Sequence, residues 1–155
     1  MSNPPSVLMV ELLMSADRLI TAAQAAPTPA DPSAWVPAVI VGHLSLVDTE
    51  VWLPRIDEMV SARSSGLRPR WVWWEPDADV TTRAFAGVEV DEAGARLLAS
   101  RTALLHRLRE LSPDDWAVEA EHEDFGVIDV QGLIMQVLGH DEEHRASLLP
   151  AAGVA

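Results

Sequence analysis

Cysteine is absent from this 155-residue chain, so there is no disulfide framework and no thiolate ligand or nucleophile of the chain's own. Any thiol chemistry needs a thiol brought in from outside. Positive charge is scarce as well. Eleven basic residues against twenty-four acidic ones give a formal net charge of −13, which repels phosphate backbones and anionic lipid over most of the surface. Nucleic acid and membrane are therefore not expected as partners, and the same acidity aids solubility. No apolar run reaches the ~20 residues of a membrane span, and Met1-Ser2-Asn3-Pro4-Pro5 lacks the basic start of a secretory signal. A soluble, cytoplasmic protein is the expectation. Strand patterns are nearly missing too, apart from short extended pieces near Trp71 to Trp74 and Ala117 to Glu121.

What the chain has is apolar residues, 48 % of the total, at helical spacing. One domain spanning residues 1–155 is expected, large enough to bury a core without staples. The first helix reads from Val7 to about Ala25 on Val7, Val10, Leu13, Leu19 and Ile20, and Pro27 and Pro29 stop it. The second runs from Pro37 to about Ala62, with a kink near Val51 to Arg55 because Pro54 cannot donate a backbone hydrogen bond. A long connection containing Gly66, Pro69, Pro76 and Gly87 follows. The third helix opens on Asp91-Glu92 and carries Leu97, Leu98, Leu104, Leu105 and Leu108 until Ser112-Pro113. Asp129 caps the fourth, which closes at Pro150. Four amphipathic helices with one long connection, between the second and third, predict an all-α four-helix bundle in which those two neighbours run parallel.

The chemical clue lies in the fourth helix. His140 and His144, in Gly139-His140-Asp141-Glu142-Glu143-His144, stand four residues apart and so project from one helix face toward a single ion. Spacing alone is weak. With five histidines in 155 residues, such a pair arises by chance roughly one time in six. His43, in the second helix, is the natural third ligand, since a pair on one helix and a single ligand on a facing helix suit a bundle. His106 lies off the leucine stripe of the third helix and His122 lies among acidic residues in an expected loop, so both have weaker claims.

These features resemble the DinB/YfiT-like family, damage-inducible four-helix-bundle metalloenzymes distinct from the DNA polymerase that shares the label. The likeness spans nearly the whole chain. It rests on His43-Leu44 followed by acidic residues and Trp52, and above all on the closing His140-Asp141-Glu142-Glu143-His144. It implies a divalent metal, zinc or nickel, on His43, His140 and His144. It also implies, for some members, a metal-assisted transfer that uses a low-molecular-weight thiol such as bacillithiol or mycothiol. A homodimer is a further implication of the likeness alone.

Three imidazoles leave a coordination position open, where a thiol or water would lose its proton more readily. Asp141 and Glu142 next to the first ligand of the pair, and Glu50 two turns from His43, are candidates to orient a ligand or relay a proton. Each is also an ordinary solvated helix carboxylate on the blander reading. Trp71, Trp73 and Trp74 are concentrated for a chain with two Phe and no Tyr; they either line a cofactor pocket, with Arg70 beside them for an anionic group, or cap one end of the bundle. The first reading is thus a thiol-dependent transferase acting on a small molecule. Its competitors are a metal-dependent hydrolase and a non-catalytic metal- or ligand-binding stress-response protein.

Overall fold

The computed structural model describes residues 5–150; the Met1 to Pro4 segment, in which no leader was expected, and the last residues of the expected domain, 151–155, lie outside them. Helix α1 spans Pro5–Ala25, and α2 spans Pro37–Val47. A π-helical turn over Asp48–Trp52 joins α2 directly to α3, Leu53–Ser65. Strand β1 (Arg70–Trp71), helix α4 (Ala78–Phe85), helix α5 (Val90–Arg109) and the short α6 (Pro113–Trp116) come next. Strands β2 (Ala120–His122) and β3 (Gly126–Ile128) lead into α7, Val130–Ser147.

The bundle consists of α1, the α2–α3 rod, α5 and α7. Polar pairs report the helix directions. Asp48 meets Arg101 and Asp57 meets Arg107, so the α2–α3 rod and α5 run parallel. Arg101 reaches Leu12 O while Gln24 reaches Asp91, so α1 runs against α5. The long connection makes the parallel pair possible, because a tight hairpin would have forced neighbours to alternate.

The Pro54 disturbance begins at Asp48, ahead of the expected Val51. The ladder widens there: Leu53 N–H bonds Asp48 O, five residues back. That spacing leaves room for the Pro54 ring above the turn it cannot bond. Downstream, Gly66 (φ 70°) takes the left-handed conformation that ends α3.

The burial phase of α1 corrects the sequence reading. Leu19 and Ile20 are buried as expected, but Val7, Val10 and Leu13 are exposed, and the inward stripe is Leu8, Leu12, Ser15, Ala16, Leu19 and Ala23. Apolar residues occupy two faces of this helix, so periodicity alone did not fix its rotation. The small residues Ser15, Ala16 and Ala23 let α1 lie close to its neighbours.

Two apolar clusters fill the core. One gathers Leu8, Leu12, Val51, Ile56, Leu104, Leu108, Leu133 and Val137; the other gathers Ala16, Leu19, Val39, Val41, Leu97 and Phe85. Between them, on all four bundle helices, sits a polar layer. Arg101, wholly buried, bonds Asp48 at both oxygens and Asp141 at both oxygens, and donates to Leu12 O. Ser15 and Ser100 add hydroxyl donors to Asp141 and Asp48.

The three strands form a small sheet in the order β1-β2-β3, parallel then antiparallel. Its β1 edge is held to α3 by Arg55, which stacks on Trp52 and Trp71 and donates to Val72 O at 2.9 Å. Trp71 in turn donates its indole N–H to Glu58. Such stacking adds about 0.5–2 kcal/mol per cation–ring contact, and it fixes the path of the segment that follows β1. On the other side of that segment, the buried Phe85 ring of α4 lies flat against α2 at Gly42, where any Cβ would run into the ring.

Candidate metal centre

His43 is brought inward by α2, one residue after the Gly42 contact with Phe85, and is 1 % exposed. His140 and His144 approach from α7, whose start is fixed by Asp129 Oδ1 accepting the Gly132 N–H at 2.8 Å. A fourth group arrives from the connection: Glu75, held between the Arg55-anchored β1 and Pro76. One ligand atom from each of His43, Glu75, His140 and His144 lies within 4.8 Å of all the others.

His140 Nε2 is 3.2 Å from His144 Nε2 and 3.3 Å from Glu75 Oε1, while His43 Nε2 is 3.8 Å from the same Glu75 oxygen. In a tetrahedral site with metal–nitrogen bonds of ~2.0–2.1 Å, ligand atoms stand about 3.3–3.4 Å apart. The closer pairs already match that separation; ligation by all four groups would draw His43 and Glu75 inward.

Charge argues for the same occupant. Burial first, and then the neighbouring His144 and His140, push the His43 imidazole down to about 3. Burial followed by His140 also lowers His144. With His43 and His144 disfavoured as cations, their ring nitrogens are left to offer lone pairs, which a divalent cation accepts. Hydrogen bonds do little to steady the rings from behind. Nδ1 of His43 and of His140 is buried with no hydrogen-bond partner, so aromatic packing orients the rings. Trp35 lies 5.0 Å from His43 by ring centroids, and Trp52 and Trp73 lie 6.1 and 6.4 Å from His140.

Two openings flank the cluster. A cavity of about 300 Å³ has His140 in its wall, and a second of about 540 Å³, bordered by Trp35, Ile40 and Leu148, has His144 in its wall.

The three histidines singled out from spacing and resemblance meet in this cluster; the carboxylates chosen with them do not. Asp141 turns into the core, with its oxygens 2.7 and 3.0 Å from Arg101. Glu142 is exposed and paired with Arg145 on the outer face of α7. Glu50 is exposed on the π-helical turn. Of the aromatic candidates, Trp73 flanks His140, Trp71 packs on Arg55, and Trp74 is half exposed. Arg70 is exposed and pairs with Glu121.

Glu75 was missed because a loop residue reaches its place through the path of the whole connection. Arg101 had a visible signal, an arginine set between Leu97 and Leu104 on the buried stripe of α5. His122 is not a loop residue but a buried member of β2, with its Nδ1 accepting the Asp124 N–H.

Among the described residues no helix is long and apolar enough to cross a membrane. Comparison with curated proteins finds no match. Among solved structures, YfiT from Bacillus subtilis is similar with a TM-score of 0.70, covering 93 % of this chain and 83 % of that one at 14 % sequence identity. That protein is described as a probable metal-dependent hydrolase with an unusual four-helix bundle topology. At this identity the likeness shows a common fold. The DinB superfamily model matches residues 11–148, nearly the whole chain, and the protein belongs to the DinB superfamily.

Proposed function

We propose that this protein is a divalent-metal-dependent enzyme that transfers a group to or from an external low-molecular-weight thiol of the bacillithiol or mycothiol type. The convergence of three imidazoles and one carboxylate within 4.8 Å carries the reading. In it, His43, His140 and His144 are the ligands of zinc or nickel. The ion would act as a Lewis acid, lowering the pKa of a thiol or water beside it.

Glu75 is the proton acceptor in this reading. It stands on the open side of the cluster, with its side chain 38 % exposed, whereas the three rings are held by packing. Asp141 contributes through position: its ion pair with Arg101 fixes the turn of α7 that carries His140. Glu50 and Glu142 have no part in the reaction, nor do Arg70, Trp71 and Trp74. Two observations support group transfer. The cluster borders two cavities, which suits two reactants, and a chain without cysteine has no competing thiol of its own. Hydrolysis, with water in place of the thiol, is the second reading, favoured by the description of YfiT. The same reading places the protein in the cytoplasm as a homodimer, with the exposed Val7, Val10, Leu13 and Met14 of α1 as the contact face.

Metal content of untagged protein, wild type against His144→Ala, is the first test, followed by thiol–electrophile and ester panels on the zinc- and nickel-loaded forms. Stoichiometric metal lost in the variant, with thiol-dependent turnover, supports the transferase. Turnover of esters without thiol selects the hydrolase, bound metal without any turnover selects a binding protein, and failure to bind either ion overturns the metalloenzyme reading.

A further inference from the structure

The cavity beside His140 is walled by Trp52, Trp73, Phe125 and Met135, and no charged side chain lines it. Trp73, Phe125 and Met135 are each about half exposed, three of the large apolar side chains left open to solvent, and all three edge this one cavity. Clustered exposed apolar surface around a concavity marks a ligand site. Its volume of about 300 Å³ is twice that of the ~150 Å³ cavity that takes up benzene, so a substituted ring fits.

One polar side chain lines this apolar wall besides His140 itself. Gln136 lies one helical turn before His140 on α7, and its Oε1 is buried with no hydrogen-bond partner. A buried acceptor without a donor is rare in folded proteins, and a turn of the Gln136 amide toward the cavity would satisfy it on a donor of whatever enters. Gly139 completes the floor. A Cβ placed there meets nothing within 4 Å, so the glycine leaves space that the cavity uses and the helix does not need.

We propose that this cavity selects an uncharged substrate with an aromatic or branched aliphatic body, which donates one hydrogen bond to Gln136 Oε1 and turns its reactive end toward His140. The inference rests on the metalloenzyme reading for what happens at that end, and on the cavity alone for what is bound. In the metal-free protein carboxylates and phosphates are excluded, because no cation in the wall would compensate for their desolvation. The apolar reactant enters on the His140 side, which leaves the His144 side for the thiol or water.

The test is a titration of uniformly 15N-labelled protein, metal-free and zinc-loaded, with 4-ethylphenol, ethylbenzene and 4-ethylbenzoate, following the Gly139 backbone and Gln136 side-chain amide signals. 4-Ethylphenol is expected to shift both signals and, in the metal-free protein, to bind at least tenfold more tightly than 4-ethylbenzoate. Gly139→Leu should weaken 4-ethylphenol about tenfold and Gly139→Ala less, while Gln136→Leu should abolish the preference for 4-ethylphenol over ethylbenzene. Circular dichroism of each variant checks that α7 is retained. Equal binding of 4-ethylbenzoate to the metal-free protein, an affinity unchanged in Gly139→Leu, or no shift with any probe overturns the proposal. Binding with this pattern in a protein that takes up neither zinc nor nickel upholds the cavity and overturns the metal reading, so the two failures are told apart.

Discussion

Arg101 Nη1 lies 2.7 Å from Asp141 Oδ2, and Asp141 is the residue that follows His140 of the histidine cluster. The same guanidinium holds Asp48 in the π-helical turn, five residues beyond His43. One buried side chain on α5 therefore braces both helices that carry the histidines. Burial alone would weaken the Arg101 charge, but Asp48 and Asp141 outweigh it and the group is held more firmly protonated than in water. Burial in turn raises Asp48 above the usual carboxylate range, with Arg101 opposing.

Replacing Arg101 with Met should cost about 3–5 kcal/mol, the usual penalty for removing one partner of a buried ion pair. Two carboxylates would remain buried without a counter-charge and would take up protons in the folded state. The deficit measured by urea unfolding should therefore shrink as pH falls toward 5. A deficit that does not change with pH would mean that lost packing, not stranded charge, is responsible.

Zinc should stabilise the folded chain through the cluster. At a free zinc concentration of 100 times Kd the linkage is ~2.7 kcal/mol. For a domain of this size each kcal/mol shifts Tm by about 2–4 °C, so a rise of roughly 5–10 °C is expected on loading and its loss on chelation. His43→Ala and His140→Ala should lose most of the rise, whereas His106→Ala, on the exposed face of α5, should keep it. An equal rise in all three variants would place the zinc elsewhere.

The four bundle helices were legible because each carries a helical apolar repeat with a stop, and Asp129 was legible as a cap because its carboxylate is followed three residues later by an open N–H. Three features were not. The rotation of α1 depends on Ser15, Ala16 and Ala23 being small enough to face neighbours, which is a property of the partners as much as of the helix. Glu75 joins the histidines only through tertiary contacts of the connection, with Arg55 gripping Val72 O behind it. The sites of Asp141 and Glu142 differ because α7 presents adjacent residues about 100° apart, so one carboxylate turns to Arg101 while its neighbour turns to solvent. Spacing pointed to His140 and His144, which repeat along one helix; it could not identify groups assembled across the fold.

His122 should contribute a measurable acid sensitivity outside the metal cluster. Burial first, and then Arg55 on α3, lower its pKa below 6.5, with Asp124 and Glu123 opposing. Below pH 6.5 the unfolded chain therefore takes up a proton that the folded chain refuses, and stability falls as pH drops through the folded pKa. His122→Asn can still accept the Asp124 N–H without titrating. The difference in unfolding free energy between wild type and variant should change in the variant's favour between pH 6.5 and 5 by up to one proton's slope. A constant difference across that range would show that His122 titrates alike in both states.

Gly42→Ala should disturb the site from behind. The added methyl meets the buried Phe85 ring, which is itself covered by Arg96 at 5.3 Å, so neither the ring nor the α2 backbone yields freely. Overpacking of this kind costs about 1–3 kcal/mol. The strain falls one residue from His43, so zinc affinity should drop as well, by more than in a control of similar stability loss such as Asp129→Ala, whose missing cap costs ~1 kcal/mol at the far end of α7. Phe85→Leu placed on top of Gly42→Ala makes room for the methyl and should recover much of the zinc affinity. If Gly42→Ala and Asp129→Ala weaken zinc equally, the close approach of Phe85 to α2 sets stability alone and has no hold on the position of His43.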